Sequence, residues 1–352
     1  MKRLQIADFI IDESSPCFII AELSANHGGK LETAIKTIKS AKKCGADAIK
    51  LQTFTQDTIT LNSKKDDFKI TQGTLWDNQY LYDLYKGSSL PWEWHEELFK
   101  VAREEGLICF SSPFDRTAVD FLEGLDTPAY KIASFEITDI PLIEYIASKG
   151  KPMIISTGIS TIEDIELALE TCRKEGNNQV ALLKCTSSYP APIDEANLLM
   201  IKDLSDKFDV ISGLSDHTIG NTVPIVATTL GAKIIEKHFI LDRSIGGTDS
   251  SFSLDESEFK LMVKSIREAE KSIGNIDYNL TEKQKKGREF SRSLYVVEKI
   301  KKGDVFSDKN IRSIRPGFGL HPKYLKQIID EKSNQNIEKG TRFSLDYIEK
   351  LT

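Results

Sequence analysis

The sequence predicts an α/β protein: a (β/α)8 barrel followed by a small β-rich domain. Three observations lead there. Eight short apolar runs recur along the chain: CFIIAEL, DAIKLQT, LICFSSP, AYKIAS, PMIISTG, ALLKCT, VISGLSDH and IIEKHF. They do not alternate polar and apolar residues along their length, which is how strands covered on both faces of a parallel sheet read. Helical patterns separate them, so strand and helix alternate eight times over about 250 residues, the size and rhythm of a barrel. An open doubly wound sheet is the alternative, but no Gly-rich dinucleotide turn follows the first run.

The elements justify themselves in order. LETAIKTIKSAKKCGA places apolar residues at helical spacing and stops at Gly45. WEWHEELFKVAREEG ends at Gly106 in the same way. TIEDIELALETCRKEG opens with Thr161 ahead of Glu163 and Asp164, an acidic first turn, and ends at Gly176. Further helices are expected at Thr117–Gly124, Ile140–Gly150, Glu195–Lys207, Thr222–Gly231 and Asp255–Gly274. The barrel therefore spans residues 1–274, a polar linker or short surface helix 275–290, and a second domain 291–352. In that tail KKGDVFS and EKGTRFS look like two related turns between short strands. About 60 residues is near the lower limit for independent folding.

Composition narrows the function. The chain has 352 residues, 40% hydrophobic and 28% charged, with net charge −6. That is a globular profile without the basic face that nucleic acid or an anionic membrane requires, although a local cationic pocket remains compatible with it. Cys17, Cys44, Cys109, Cys172 and Cys185 are scattered and odd in number, so neither a disulfide framework nor a zinc knuckle is indicated. MKRLQIADFIIDESS carries charges within its apolar run and does not read as a signal peptide. No apolar run nears the roughly 20 residues that span a membrane. The cytoplasm is the expected compartment.

In such barrels chemistry sits at the carboxyl ends of the strands. The runs end in or carry Glu22, with Asn26 and His27 after it; Lys50 and Gln52; Ser111 and Ser112; Lys131, Ser134 and Glu136; Ser156 and Thr157; Lys184, Thr186 and Ser187; Ser215, Asp216 and His217; Glu236, Lys237 and His238. A single strand-end serine is a common turn or helix cap. Eight polar ends meeting at one mouth are hard to explain as filler, because unpartnered buried polar groups are costly. Lys50 and Lys131 lie inside apolar runs with no acidic residue nearby along the strand, so an anionic ligand is their expected partner. Lysines with serine hydroxyls make a phosphate cradle. His217 and His238, on strands that must be neighbours, can meet one divalent metal and leave positions for substrate and water. Glu136 or Glu22 can move a proton or hold a sugar hydroxyl. Asp216 either orients His217 or caps the next helix, and His27 has no clear role.

These residues also carry a resemblance. AELSANHGG, GADAIKLQT, CFSSPFD, YKIASFEITD, ISTGIST, KCTSSYP, GLSDHT and IEKHF together resemble the sialic acid (nonulosonic acid) synthase family. RSLYVVEKIKKGD with SIRPGFGLHPKY resembles the antifreeze-like (SAF) domain that ends those enzymes. LWDNQYLYDLYK, PWEWH, KCTSSYPAP and RPGFGLHP look like the pseudaminic acid synthase branch. Phe135 and Ser187 stand where the neuraminate branch has a glycine and an asparagine.

The resemblance implies a phosphoenolpyruvate-dependent transferase. Phosphoenolpyruvate would lie on Lys50, Ser112, Lys131, Ser134, Ser156, Ser187 and Ser215, and a divalent metal (Mn, Mg or Co) on His217 and His238. The acceptor would be an open-chain diacetamido sugar, the trideoxy-altrose of the pseudaminate branch. Glu22, Glu136 and Asp249 would contact or activate sugar and water, with Asn26 and with Arg315 from the small domain. A domain-swapped homodimer, and a role in carbohydrate biosynthesis such as flagellin glycosylation, are implied as well. The neuraminate and legionaminate branches remain alternatives. A Schiff-base aldolase using Lys131 or Lys184, or a carbohydrate- or ice-binding protein built on the tail, are the readings outside the family.

Overall fold

Strands buried on both faces close on themselves when helices cover the outside, and this chain does so. In the computed structural model, which describes residues 2–349, a hairpin of β1 (Arg3–Ile6) and β2 (Phe9–Asp12) comes first. Eight parallel strands follow: β3 (Phe18–Glu22), β4 (Ala48–Thr53), β5 (Ile108–Pro113), β6 (Tyr130–Ile132), β7 (Met153–Ser156), β8 (Val180–Cys185), β9 (Ile211–Asp216) and β10 (Ile234–His238). They form a closed barrel in chain order, with β10 pairing β3. The barrel expectation holds.

The helices are α1 (Leu31–Cys44), α2 (Gln56–Ile59), α3 (Leu81–Ser88), α4 (His95–Glu104), α5 (Arg116–Gly124), α6 (Ile140–Ala147), α7 (Ile162–Lys174), α8 (Leu199–Phe208), α9 (Thr222–Thr229) and α10 (Glu256–Ile273). Gly45 ends α1 at φ 91°, a left-handed value that only glycine adopts cheaply. Thr161 and Asp164 cap α7 reciprocally.

Strand alternation sorts every side chain. Phe18, Ile20, Ala48, Phe110, Ile154, Ala181, Leu183 and Ile234 point inward and pack with Leu4, Ile6 and Ile11 of the hairpin. Ile19, Ile49, Met153, Leu182 and Ile235 point outward into the helix layer. The hairpin is a correction to the sequence reading, where the first residues were weighed only as a targeting segment. Its apolar residues join the inner core, leaving the carboxyl end of the barrel for polar groups.

One polar chain is sealed into the wall. Thr53 on β4 shares hydrogen bonds with Ser111 of β5 at 2.6 Å and with His95 Nε2 at 2.8 Å. His95 is fully buried, and burial lowers its pKa to about 4. The unfolded chain binds a proton near pH 6.5 where the fold refuses it, so stability is lost as pH falls from 6.5 toward 4. The loss should reach roughly 3 kcal/mol. Urea midpoints across this range should fall more steeply for the wild type than for His95→Gln; parallel curves would refute the assignment.

The chain divides into two units between Gly274 and Asn275. In the second, the exposed stretch 275–290 contains α11 (Glu282–Gly287), capped by Thr281. β11 (Ser293–Val296) and β12 (Ile311–Ile314) pair antiparallel, and α12 (Leu325–Ile328) follows. Leu294, Val296, Ile300, Phe306, Ile311, Ile328, Ile337 and Phe343 form a separate core. No helix among the described residues is long and apolar enough to cross a membrane.

Candidate active site

The inward parity that buries Ile20, Ala48 and Ile234 lower down places Glu22, Lys50 and Glu236 on the same face at the mouth. Register sets their heights: Glu22 lies opposite Lys50 across β3–β4, and His238 lies opposite Glu22 across β10–β3. Lys50 Nζ is 2.6 Å from Glu22 and 3.5 Å from Glu236. Lys131 Nζ is also 3.5 Å from Glu236 Oε1. The expectation of lysines without acidic partners is therefore corrected. No acid neighbours them along their own strands, but closure of the barrel brings Glu22 and Glu236 in from the sides.

Serines tie this cluster down. Lys50 donates to Ser112 at 3.3 Å, Lys131 to Ser156 at 2.7 Å, and Ser215 to Glu236 at 3.1 Å. Glu236 was noticed as a polar strand end but given no role, although its spacing of two from His238 already put both on one face. Both lysines and all three serines are buried.

Three carboxylates face two ammonium groups, and that imbalance sets the charges. Burial pushes Glu22 up to about 7, against the pull of Lys50 and with repulsion from Glu236. Burial opposes ionisation of Glu236 too, but Lys131 and Lys50 outweigh it and hold the carboxyl low. Burial works against the charge on Lys50, yet Glu22 and Glu236 keep it raised. Lys131, with fewer acids around it, is lowered by burial. Glu136 is pushed up to about 7 by burial, and its Oε2 is buried without a hydrogen-bond partner.

Beside the lysines is a small cradle. Ser134 Oγ accepts the N–H of Gly158 at 3.1 Å. A Cβ on Gly158 would lie 2.1 Å from Ser187 Oγ, 2.7 Å from Ser134 Oγ and 3.1 Å from Cys185 Sγ. The hydroxyls of Ser134 and Ser187 thus both converge on the Gly158 backbone, a pairing suited to holding an anion.

The histidines meet as well. The rings of His217 and His238 are 5.2 Å apart, packed by Tyr189 and Phe252. His217 Nδ1 lies 3.2 Å from the Thr186 carbonyl, which leaves Nε2 as the ligating nitrogen. His238 Nδ1 is buried with no hydrogen bond, 3.8 Å from Asp249, and burial keeps the ring neutral, its pKa well below normal. Asp249 accepts from Ser24, which also accepts from Gln52 at 3.0 Å. Among the described residues no three His, Cys, Asp or Glu side chains form a complete metal cage. The neutral His238 ring with its orphaned nitrogen, beside Nε2 of His217, does fit a divalent ion that takes its other ligands from substrate and water.

Other expectations are redrawn. Asn26 donates to the Phe239 carbonyl at 3.0 Å and to Ser253 at 2.8 Å, so its amide nitrogen ties two loops together, while its Oδ1 is buried without a partner. His27 Nδ1 accepts from the Gly29 N–H at 3.1 Å and its ring packs edge-on to Trp94. Asp216 neither touches His217 nor caps α9, whose N-cap is Asn221. Lys184 has outward parity and donates to the Cys185 carbonyl at 2.6 Å, away from the cluster. Arg315 belongs to the second unit.

The comparisons agree with this geometry. Residues 37–278 match the NeuB family model and residues 291–349 the SAF domain. The chain belongs to the NeuB family. Within it, a pseudaminic acid synthase of Campylobacter jejuni is 50% identical over 337 residues, 96% of this chain and 97% of that one. One of Helicobacter pylori is 48% identical over 95% and 98%. An N,N'-diacetyllegionaminic acid synthase of Legionella pneumophila is 35% identical over 96% of each chain. The solved structure of the spore coat polysaccharide biosynthesis protein spsE of Bacillus subtilis superposes with a TM-score of 0.67 at 34% identity, covering 99% of this chain and 100% of that one.

Proposed function

We propose that this NeuB-family chain is a pseudaminic acid synthase. It condenses phosphoenolpyruvate with 2,4-diacetamido-2,4,6-trideoxy-L-altrose and water, giving pseudaminic acid and phosphate in the cytoplasm. The observation that carries this reading is the buried Lys50–Glu236–Lys131 cluster beside the Gly158 cradle. It sits in a chain that shares about half its residues with two pseudaminic acid synthases.

Two fixed cations and a hydroxyl cradle suit a small ligand with a carboxylate at one end and a phosphate at the other. Lys50 and Lys131 supply the charge, and Ser112 and Ser156 hold the ammonium groups in place. The hydroxyls of Ser134 and Ser187 take phosphate oxygens. C3 of phosphoenolpyruvate bonds to the aldehyde carbon, and cationic character develops at C2. Glu236, kept ionised by both lysines, provides the negative charge for it. Water then bonds to C2 and passes its proton to Glu136, whose Oε2 is free and whose pKa suits neutral solution. Glu22, equally poised, gives a proton to the former aldehyde oxygen. The bond from C2 to the phosphate oxygen then breaks, the new hydroxyl becomes the C2 carbonyl, and its proton leaves on the phosphate. His217 and His238 would hold a divalent ion (Mn, Mg or Co), which when bound polarises the aldehyde carbonyl. Asp249, beside His238, is placed to hold a sugar hydroxyl.

The test is phosphate release from phosphoenolpyruvate with a panel of aminosugars. The diacetamido-trideoxy-altrose should turn over fastest; faster turnover of a mono-acetamido hexose or of a stereoisomeric diacetamido hexose would overturn the pseudaminate assignment. Borohydride with pyruvate should leave Lys131 unmodified, and a trapped adduct would favour the aldolase.

Gly158→Ala probes the cradle. Its φ lies outside the left-handed region, so alanine suits the backbone and the effect is one of space alone. Overpacking of this kind costs about 1–3 kcal/mol of stability, so a lower melting temperature is expected together with a higher KM for phosphoenolpyruvate. An unaltered KM would remove phosphate from the cradle.

Arg315 completes the proposal, as an acceptor contact delivered by the partner chain of a swapped homodimer. The RPGFG turn is tightly seated: a Cβ on Gly317 would lie 2.4 Å from Ser291 Oγ and 2.6 Å from the Arg288 carbonyl. Such a turn presents a side chain rigidly. Co-expression of Arg315→Ala with His238→Ala should restore one working site per mixed dimer, provided each homodimer is folded and inactive. A dead, verified heterodimer would reject the swap.

A further inference from the structure

Lys237 and Asp216 form a buried ion pair for which the proposed chemistry has no use. Lys237 lies between Glu236 and His238 on β10, so alternation turns it away from the mouth. It stands opposite Asp216 on β9. Its ammonium donates to Asp216 Oδ2 at 2.5 Å and to the carbonyl of Thr218. Asp216 also accepts from the Thr218 N–H at 3.0 Å and from its hydroxyl at 3.1 Å. Lys237 is 1% exposed and Asp216 3%.

Every one of these bonds closes around a single residue. His217 is the link between Asp216 and Thr218, and both of its neighbours are gripped by Lys237. The lysine that grips them is itself the residue before His238. One ammonium therefore couples the backbone segments that carry the two imidazoles. A buried ion pair contributes little net stability, because desolvation cancels most of the attraction and an apolar pair of similar volume does as well. What it does supply is a single arrangement of the strand ends. A two-histidine site depends on that, because with only two protein ligands the gap and orientation of the rings decide its affinity.

We propose that Lys237 and Asp216 are positioning residues: a clasp in the barrel wall that sets His217 against His238 for metal binding. This rests on the metal reading above. The test measures Mn²⁺ affinity from the free-ion paramagnetic signal, and phosphoenolpyruvate affinity separately in metal-free protein. Lys237→Met should weaken Mn²⁺ binding at least tenfold and leave phosphoenolpyruvate binding within twofold of wild type. Asp216→Asn, which keeps the shape and can still accept the Thr218 N–H but loses the oxygen that Lys237 and the Thr218 hydroxyl donate to, should show a loss of the same kind. Unchanged Mn²⁺ affinity in folded Lys237→Met overturns the clasp, as does a parallel loss of both ligands, which a merely structural role would give. If Lys237→Met does not fold, Asp216→Asn decides: unaltered Mn²⁺ affinity there overturns it. A wild type that binds no Mn²⁺, or binds it equally well as His217→Ala, overturns the metal reading itself and the clasp with it.

Discussion

Lys131→Ala is expected to weaken phosphoenolpyruvate binding by about 2–4 kcal/mol, roughly 30- to 1,000-fold. Lys131 is 2% exposed, so water cannot stand in for it. Two effects combine. The ligand loses a buried cation, and Glu236 loses one of the two lysines that neutralise it. A carboxylate left with Lys50 alone, which is already shared with Glu22, turns part of its charge against an incoming anion. The second effect can be separated from the first. Lys131→Met/Glu236→Gln should bind more tightly than Lys131→Met alone, because the residues act as one unit and their effects are not additive. Titration calorimetry with phosphoenolpyruvate measures each. Wild-type affinity in Lys131→Ala would remove the lysine from the site, and equal affinities in the single and double variants would remove the repulsion.

Much of this site was legible because alternation along a buried strand is strict. Once Ile234 and Ile235 are read as strand, Glu236 and His238 must share a face and Lys237 must take the other. The sequence reading placed the histidines by the adjacency of their strands and did not apply this rule to Glu236, and so missed the anion between the two lysines. Ion pairs across strands are a different matter. Glu22 and Lys50 are 28 residues apart, and Lys131 and Glu236 are 105 apart, so only register and closure of the barrel reveal them. The hairpin at Arg3–Asp12 was hidden for another reason: eight residues of strand around a tight turn give too short a pattern to separate from a frayed terminus. The amide nitrogen of Asn26 bonds to Phe239 and Ser253, more than 200 residues away, contacts that no local pattern shows.

Removal of divalent metal should abolish phosphate release, and Mn²⁺ or Mg²⁺ should restore it. The expectation comes from the state of His238 beside His217. His238 is 8% exposed, its Nδ1 has no hydrogen bond, and burial holds the ring neutral with its lone pair available. A buried polar atom without a partner costs about 1–3 kcal/mol, so the fold bears a penalty here that a ligated cation would relieve. Phe252 and Tyr189 wall the pair and limit competing hydration. His238→Ala removes one of the two proposed protein ligands, and among the described residues no group of three His, Cys, Asp or Glu could hold a metal without it, so Mn²⁺ binding should be lost. Phosphoenolpyruvate should still bind, because Lys50, Lys131 and the Gly158 cradle are untouched, and that retained affinity is the control for folding. Full turnover in chelator-treated, metal-free protein would defeat the expectation. So would wild-type Mn²⁺ affinity in His238→Ala, since the ion would then be held elsewhere than between these two rings.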